Sequence, residues 1–374
     1  MSQQKYINKL VIGDMAADYP IIQGGMGVGV SGESLAGAVA AAGGIGIISS
    51  AQLGYKDKDF ENNPKECTLK AIGRSVVNAK KYAKINSNGK KGLVGVNVMV
   101  ALKHYREHVK EAVKAGADVV ICGAGLPLDL PELVNGSKTK IAPIISSARA
   151  CRVILKQWAS KYKRTADFLV FEGPKAGGHL GFHMDELDKE ETFGSEYVDN
   201  EIKKIIDVKE DYEKEFGVHI PLIAAGGIFD NRDVRHMLEI GADGVQVASR
   251  FVATYECDAS MEYKQAYINA KDSDVCIIKS PVGLPGRAIN NEFIKRVSRS
   301  QMPVDKCYQC LAKCNPKEVP YCITKALINA VKGDIDNGLV FCGANVGRIN
   351  KITSVKELID ELIGLDSVTS HFVI

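Results

Sequence analysis

No stretch of this sequence reaches the roughly 18 consecutive apolar residues that a membrane-spanning helix needs. Its first residues, MSQQKYINKL, hold no apolar core of the kind a secretory signal requires. An excess of one charge is missing too. Lys and Arg number 48 against 45 Asp and Glu, leaving +3, too little for the broad field that draws a chain onto nucleic acid or an anionic membrane. Aromatics are scarce at 7%, with Trp158 the single tryptophan. These absences predict a cytoplasmic protein that meets small molecules, with no nucleic-acid or membrane partner. They leave the oligomeric state open.

What the chain has in quantity is glycine, 36 residues of 374, together with ten cysteines. Eight short apolar runs recur: 20–26, 44–50, 94–100, 117–124, 141–147, 167–173, 221–227 and 244–251. Several are continuously apolar, as parallel strands covered on both faces are. Helical patterns separate them, among them 33–42, 105–115, 148–162 and 233–240. Gly116-Ala117 and Gly241-Ala242 stand where two of these helices should stop. Eight β-α units predict an α/β fold, a (β/α)8 TIM barrel, with a small helical subdomain inserted after the eighth strand. The expected boundaries are 1–252 for the barrel and 253–339 for a helical subdomain over the active face. Residues 340–374 then return to the barrel and end in a helix that Ser354 and Glu357 cap. A long connection, 183–218, opens on the acidic tract Met184–Glu191 and reads as a solvated loop and helix, or as a lid.

The glycines mass at the ends of the runs: Gly24, Gly25 and Gly27; Gly123 and Gly125; Gly173, Gly177, Gly178 and Gly181; Gly226 and Gly227. In a barrel those ends form the active face, and the loops after the seventh and eighth strands make the usual phosphate site. Here they read AAGGI (224–228) and VQVASRF (245–251). Gly226 and Gly227 would offer bare backbone N–H groups, and Ser249 a hydroxyl. Gln23, Asn97 and Gln246 place amides on strands. They suit a ring with several carbonyl and N–H edges, an isoalloxazine or a nucleotide, or else serve as hydrogen-bonded core residues. In EGPKAGGHLGFH (172–183), the glycines would let the backbone fold around a bound ring and bring His179 over it. An imidazole there suits proton transfer at carbon. His183 reads as a surface residue.

The segments PIIQGGMG, GVNVMV, EGPKAGGHLGF, AAGGI, GADGVQVASRF and KSPVGLPGRAI, taken in order, resemble the nitronate monooxygenase family, once called 2-nitropropane dioxygenases. The resemblance implies an FMN-dependent TIM-barrel oxidoreductase that oxidises alkyl nitronates or nitroalkanes with O2 to carbonyl compounds and nitrite. The family is related to FMN-dependent enoyl-ACP reductases and quinone reductases. The alternative it implies is therefore an NAD(P)H-dependent reductase of enoyl thioesters or quinones. It further implies that His179 is catalytic. FMN contacts would come from Gln23, Gly24, Gly25, Asn97, Gly178, Gly226, Gly227, Gln246, Val247, Ala248 and Ser249. Two positions depart from the family pattern. Ala248-Ser249 replaces a common Gly-Thr and keeps the hydroxyl. Lys175 stands where the family usually has Glu before Ala-Gly-Gly-His.

Cysteines in a cytoplasmic protein stay reduced, so a tight cluster reads as metal-binding or redox-active rather than disulfide-bonded. Cys307-x2-Cys310-x3-Cys314-x7-Cys322 is such a cluster. Its spacing is similar to that of cluster ligands in iron–sulfur flavoenzymes, with a shorter last gap. A [4Fe–4S] cluster, zinc or no metal are the readings it allows. The helical continuation 323–331 suggests that Cys322 opens a helix, which would weaken a compact site.

Overall fold

A computed structural model of the chain describes residues 8–187 and 195–365. Two short strands, β1 (Leu10–Ile12) and β2 (Met15–Ala17), form an antiparallel hairpin. Eight strands then close a parallel barrel: β3 (Ile21–Gln23), β4 (Ile45–Ser49), β5 (Leu93–Met99), β6 (Val119–Gly123), β7 (Lys140–Ile145), β8 (Leu169–Glu172), β10 (Leu222–Ala225) and β11 (Gly244–Val247). The intervening β9 (Gly178–His179) lies outside the barrel. Closure is made by β11 on β3, with Val245 opposite Ile21 and Val247 opposite Gln23. All eight runs expected from the sequence are barrel strands, and the helices between them include Glu33–Ala41, Tyr105–Lys114, Ala148–Tyr162 and Asn231–Glu239.

Alternation along each strand divides the side chains into an inner and an outer set. Ile22, Ile45, Ile47, Val119, Ile121, Val170 and Ile223 pack inside, joined by Leu10, Ile12 and Ala17 of the hairpin. The hairpin therefore plugs the N-terminal mouth of the barrel. Outward residues such as Val96, Val98, Val120, Leu169 and Val245 meet the helical layer. With one mouth filled by hydrocarbon, the opposite mouth is where a ligand enters.

The excursion after β11 carries the helices Met261–Asn269, Glu292–Val297 and Ile323–Val331. It also carries a β-hairpin, β12 (Val275–Lys279) with β13 (Pro285–Ile289), where the sequence reading expected a helical subdomain. On its free edge β13 pairs with β9, Gly286 opposite His179 and Arg287 opposite Gly178. The excursion is tied back to the barrel by Asp258. Its carboxylate accepts the Gly32, Ser34 and Leu35 N–H groups at 2.8–3.2 Å, at the start of the first barrel helix. The spacing Gly27-x-Gly29-x-x-Gly32 would mark a dinucleotide turn in an open sheet. Here Gly29 (φ +67°) lies under the Tyr55 ring and Gly32 packs on Asp258. At the C-terminal end, Ser354 and Glu357 form the expected capping box of the helix Val355–Ile363. Buried Arg250 grips that helix through both Glu361 oxygens at 2.7 and 2.9 Å. Of the acidic tract Met184–Glu191, residues 188–191 lie outside the described residues.

Candidate active site

Inward residues near the C-terminal ends of the strands form the floor of a cavity of about 220 Å³ at the C-terminal mouth. Ser49, Asn97, Gly123, Ile144, Glu172, Ala225 and Gln246 supply that floor, one per strand from seven strands. Of the residues named from the sequence, Gly24, Gly25, Asn97, Gly178, His179, Gly226, Gly227 and the run Gln246–Ser249 all line it. Gln23 does not. Alternation puts Ile22 and Gly24 on the inner face and Gln23 on the outer one. There its amide is spent on strand pairing, accepting the Ile47 N–H at 3.0 Å and donating to the Ile47 carbonyl at 3.2 Å. The expected flavin contact is thus a fully buried, satisfied core amide.

The glycines are open where a ligand needs room and tight where the walls meet. Gly178, at φ +72°, has no heavy atom within 4 Å of where a Cβ would stand. A Cβ on Gly226, at φ +94°, would sit 2.9 Å from the Gly173 oxygen and 3.0 Å from the Ala176 nitrogen. The 226–227 turn therefore fits against the 173–176 loop only without side chains. The Lys175 stem passes over Gly227. The returning tail completes this corner. Gly343 donates to Ser249 Oγ at 2.9 Å, Ala344 to the Lys175 carbonyl at 3.1 Å, and Asn345 Nδ2 to the Gly227 carbonyl at 2.6 Å.

His179 is held from three sides. β9 pins its backbone to β13, Ser280 Oγ lies 2.7 Å from its Nε2, and the Phe341 ring packs edge-on at 5.0 Å. A hydroxyl donates and accepts, so the Ser280 contact survives gain or loss of a ring proton. Burial pushes the imidazole down from its usual range to about 4. That favours the neutral ring at physiological pH, rather than one titrating near neutrality. Buried Arg287 clamps the same loop, donating to the Pro174 carbonyl at 2.7 Å and to that of Ala176. Glu172, on the floor, is the second unusual acid–base group. Burial alone raises its carboxyl to about 7. No described residue hydrogen-bonds its side chain, nor that of Gln246.

Sequence reasoning missed Ser280, Phe341, Glu172 and Arg287 as site residues. Ser280 and Arg287 stand inside KSPVGLPGRAI and Glu172 opens EGPKAGGH, so their segments were marked, though the side chains were not. Phe341 carries no local signal, because the returning tail, bridged to Ala288, delivers it from 162 residues away. The four cysteines lie outside the cavity. Among the described residues, no group of three or more His, Cys, Asp or Glu side chains is closed to metal-binding geometry.

A family profile described as nitronate monooxygenase matches residues 8–364. A probable nitronate monooxygenase of Staphylococcus aureus is 27% identical over 303 residues, covering 76% of this chain and 79% of that protein. Among solved structures, FabK from Thermotoga maritima superposes with a TM-score of 0.68 at 25% identity over 95% of both chains. A nitroalkane oxidase from Streptomyces ansochromogenes does so at 0.67 and 19% identity, over 95% of this chain and 98% of that one. No helix among the described residues is long and apolar enough to cross a membrane.

Proposed function

This chain belongs to the nitronate monooxygenase family of oxidoreductases, and on that premise we propose that it uses FMN to oxidise alkyl nitronates, and the nitroalkanes that form them, with O2 to carbonyl compounds and nitrite. The observation that carries the reading is His179, a neutral imidazole held by Ser280 over a glycine-walled cavity. The cavity has the donor set that FMN needs. Gln246 and Asn97 would offer amides to the polar edges of a flavin, Gly226, Gly227, Ser249 and Lys175 would hold its phosphate, and the open space at Gly178 would admit it. FMN, when bound, supplies an acceptor for the substrate's electrons and a route for them to dioxygen.

The protein's own part is positioning and proton transfer. With a neutral nitroalkane, the His179 lone pair takes the proton α to the nitro group, and Ser280 keeps the ring oriented as it becomes charged. Desolvation makes the imidazole a weak base, so this step is slow unless the anion that forms is stabilised in the cavity. A nitronate arrives already deprotonated and needs no base. Turnover on nitronates should therefore exceed that on nitroalkanes. The expected small-molecule partners are a nitronate and O2.

The likeness to FabK supports a second reading from the same parts. NAD(P)H would reduce the flavin, and an enoyl thioester or quinone would be the acceptor. Anaerobic mixing of the flavin-loaded enzyme with ethyl nitronate and, separately, with NADH or NADPH divides the two. Rapid bleaching of the visible flavin band by the nitronate alone, with nitrite formed on admitting air, supports the first. Bleaching by a nicotinamide and none by the nitronate overturns it.

A further inference from the structure

The tail segment Phe341–Asn345 reaches both ends of the cavity, and all five of its residues line it. At the first of them the Phe341 ring packs on His179, and the Tyr267 hydroxyl donates to the Phe341 carbonyl. Cys342 donates to the Arg287 carbonyl at 3.1 Å. The tail then lies flat on the histidine loop. A Cβ on Gly177 would stand 2.6 Å from the Cys342 carbonyl carbon and from the Gly343 nitrogen. At its other end, Gly343, Ala344 and Asn345 hold the corner of Ser249, Lys175 and Gly227 through the three hydrogen bonds given above. Proton transfer by His179 accounts for the first end of this segment and leaves the second without a task.

Each of the three bonds occupies a group that an anion cannot use and spares one that it can. Ser249 Oγ accepts from Gly343, so its hydroxyl proton remains to be donated. Ala344 takes the Lys175 carbonyl, and no described residue forms an ion pair with the exposed Lys175 side chain. Asn345 takes the Gly227 carbonyl, which no other described donor reaches. A trans peptide sets its C=O and N–H on opposite sides, so fixing the Gly227 carbonyl also fixes the direction of the Ile228 N–H. Gly226 and Gly227 both lie at positive φ, +94° and +86°. Among the described residues none accepts the N–H of Gly226, Gly227 or Ile228. Ile228 is buried, and a buried N–H without an acceptor costs stability until a ligand supplies one. Successive N–H groups left open in a turn form an anion-binding concavity.

We propose that Asn345 is the positioning residue that makes this corner selective for a phosphorylated flavin. Its grip on the Gly227 carbonyl holds the Ile228 N–H, beside those of Gly226 and Gly227, as a donor for the terminal phosphate. The inference rests on the FMN reading given above. The phosphate oxygens accept these N–H groups and the Ser249 hydroxyl, and the Lys175 charge offsets theirs. Binding makes and breaks no covalent bond. Riboflavin has the same ring and no phosphate, so it gains nothing from the corner. Asn345 acts on a turn 118 residues earlier in the chain, which is why no local motif marks it.

The test is titration of the flavin-stripped, full-length protein with FMN and, separately, with riboflavin in phosphate-free buffer, read by quenching of flavin fluorescence. Wild type should bind FMN on the order of 100-fold tighter than riboflavin, as a few charge-assisted hydrogen bonds predict. Asn345→Ala should weaken FMN about tenfold and riboflavin less than about twofold, the loss expected when one positioning hydrogen bond goes. Asn345→Asp keeps the shape but offers an oxygen in place of the N–H, and it should weaken FMN at least as much while sparing riboflavin. Where circular dichroism shows that Asn345→Ala does not fold, Asn345→Asp decides by the same comparison. Equal weakening of both flavins, the mark of a merely structural residue, or weakening of neither, overturns the proposal and leaves FMN as the cofactor. Wild type that binds both flavins equally removes the phosphate corner and the proposal with it. Wild type that binds neither removes the FMN reading itself, and the proposal falls with that reading.

Discussion

Glu172 offers the sharpest physical test of the cavity. Its carboxyl sits on the floor with no hydrogen-bond partner among the described residues, and burial lifts its pKa from 4.5 to about 7. A raised folded-state value means that the folded chain holds this proton more tightly than the unfolded one. The stability it confers is complete below about pH 4.5 and is lost as pH rises through 7. Two and a half pH decades at about 1.4 kcal/mol each amount to a loss of about 3 kcal/mol. Glu172→Gln keeps the shape and removes the titration. In flavin-stripped protein, urea unfolding should find the variant about 1 kcal/mol more stable than wild type at pH 5 and about 3 kcal/mol more stable at pH 8.5. The wild-type pH–rate profile should also bend near 7 where the variant's does not. A stability difference that stays flat between pH 5 and 8.5 would refute the reasoning, because it would mean that the carboxyl reaches solvent or an unseen partner.

His179→Ala should lose far more activity on a neutral nitroalkane than on the corresponding nitronate, on the order of 100-fold more if proton removal is its task; steady-state nitrite release measures it, and equal losses would remove the base assignment. Ser280→Ala leaves the ring without its partner, and kcat on the nitroalkane should fall about 5–10-fold, as loss of one hydrogen bond predicts, with flavin content unchanged. Gly226→Ala forces a side chain into φ +94° against the 173–176 backbone, so it should cost roughly 2 kcal/mol or more and release flavin on gel filtration. Arg250→Ala removes the bidentate pair with Glu361 and the bond to the Phe229 carbonyl, and a loss of roughly 1–2 kcal/mol should show in chemical denaturation.

Much of the barrel was legible because its signals are local. Parallel strands covered on both sides must be continuously apolar, and the loops that approach a ligand must shed side chains, so apolar runs ending in glycines mark both fold and active face. Gln23 shows where that reasoning stops. A strand amide next to two glycines looks like a ligand contact, but the phase of the pleat turns it outward, and phase is set by pairing with β4 and β11. The β12–β13 hairpin escaped notice for a related reason, since its free edge is completed by a two-residue strand from the His179 loop over ninety residues away.

By itself, then, the sequence determined the (β/α)8 architecture and the glycine collar at the strand ends, because each follows from short-range periodicity and backbone freedom, and it singled out His179 as the candidate histidine there. Only the tertiary structure decided the chemistry of that face. Burial lowered His179 and raised Glu172, Ser280 and Phe341 arrived from distant segments to hold the imidazole, and the tail closed the corner around Ser249 and Gly227. These are consequences of which surfaces exclude water together, a property of chain segments brought into contact that no local stretch of sequence contains.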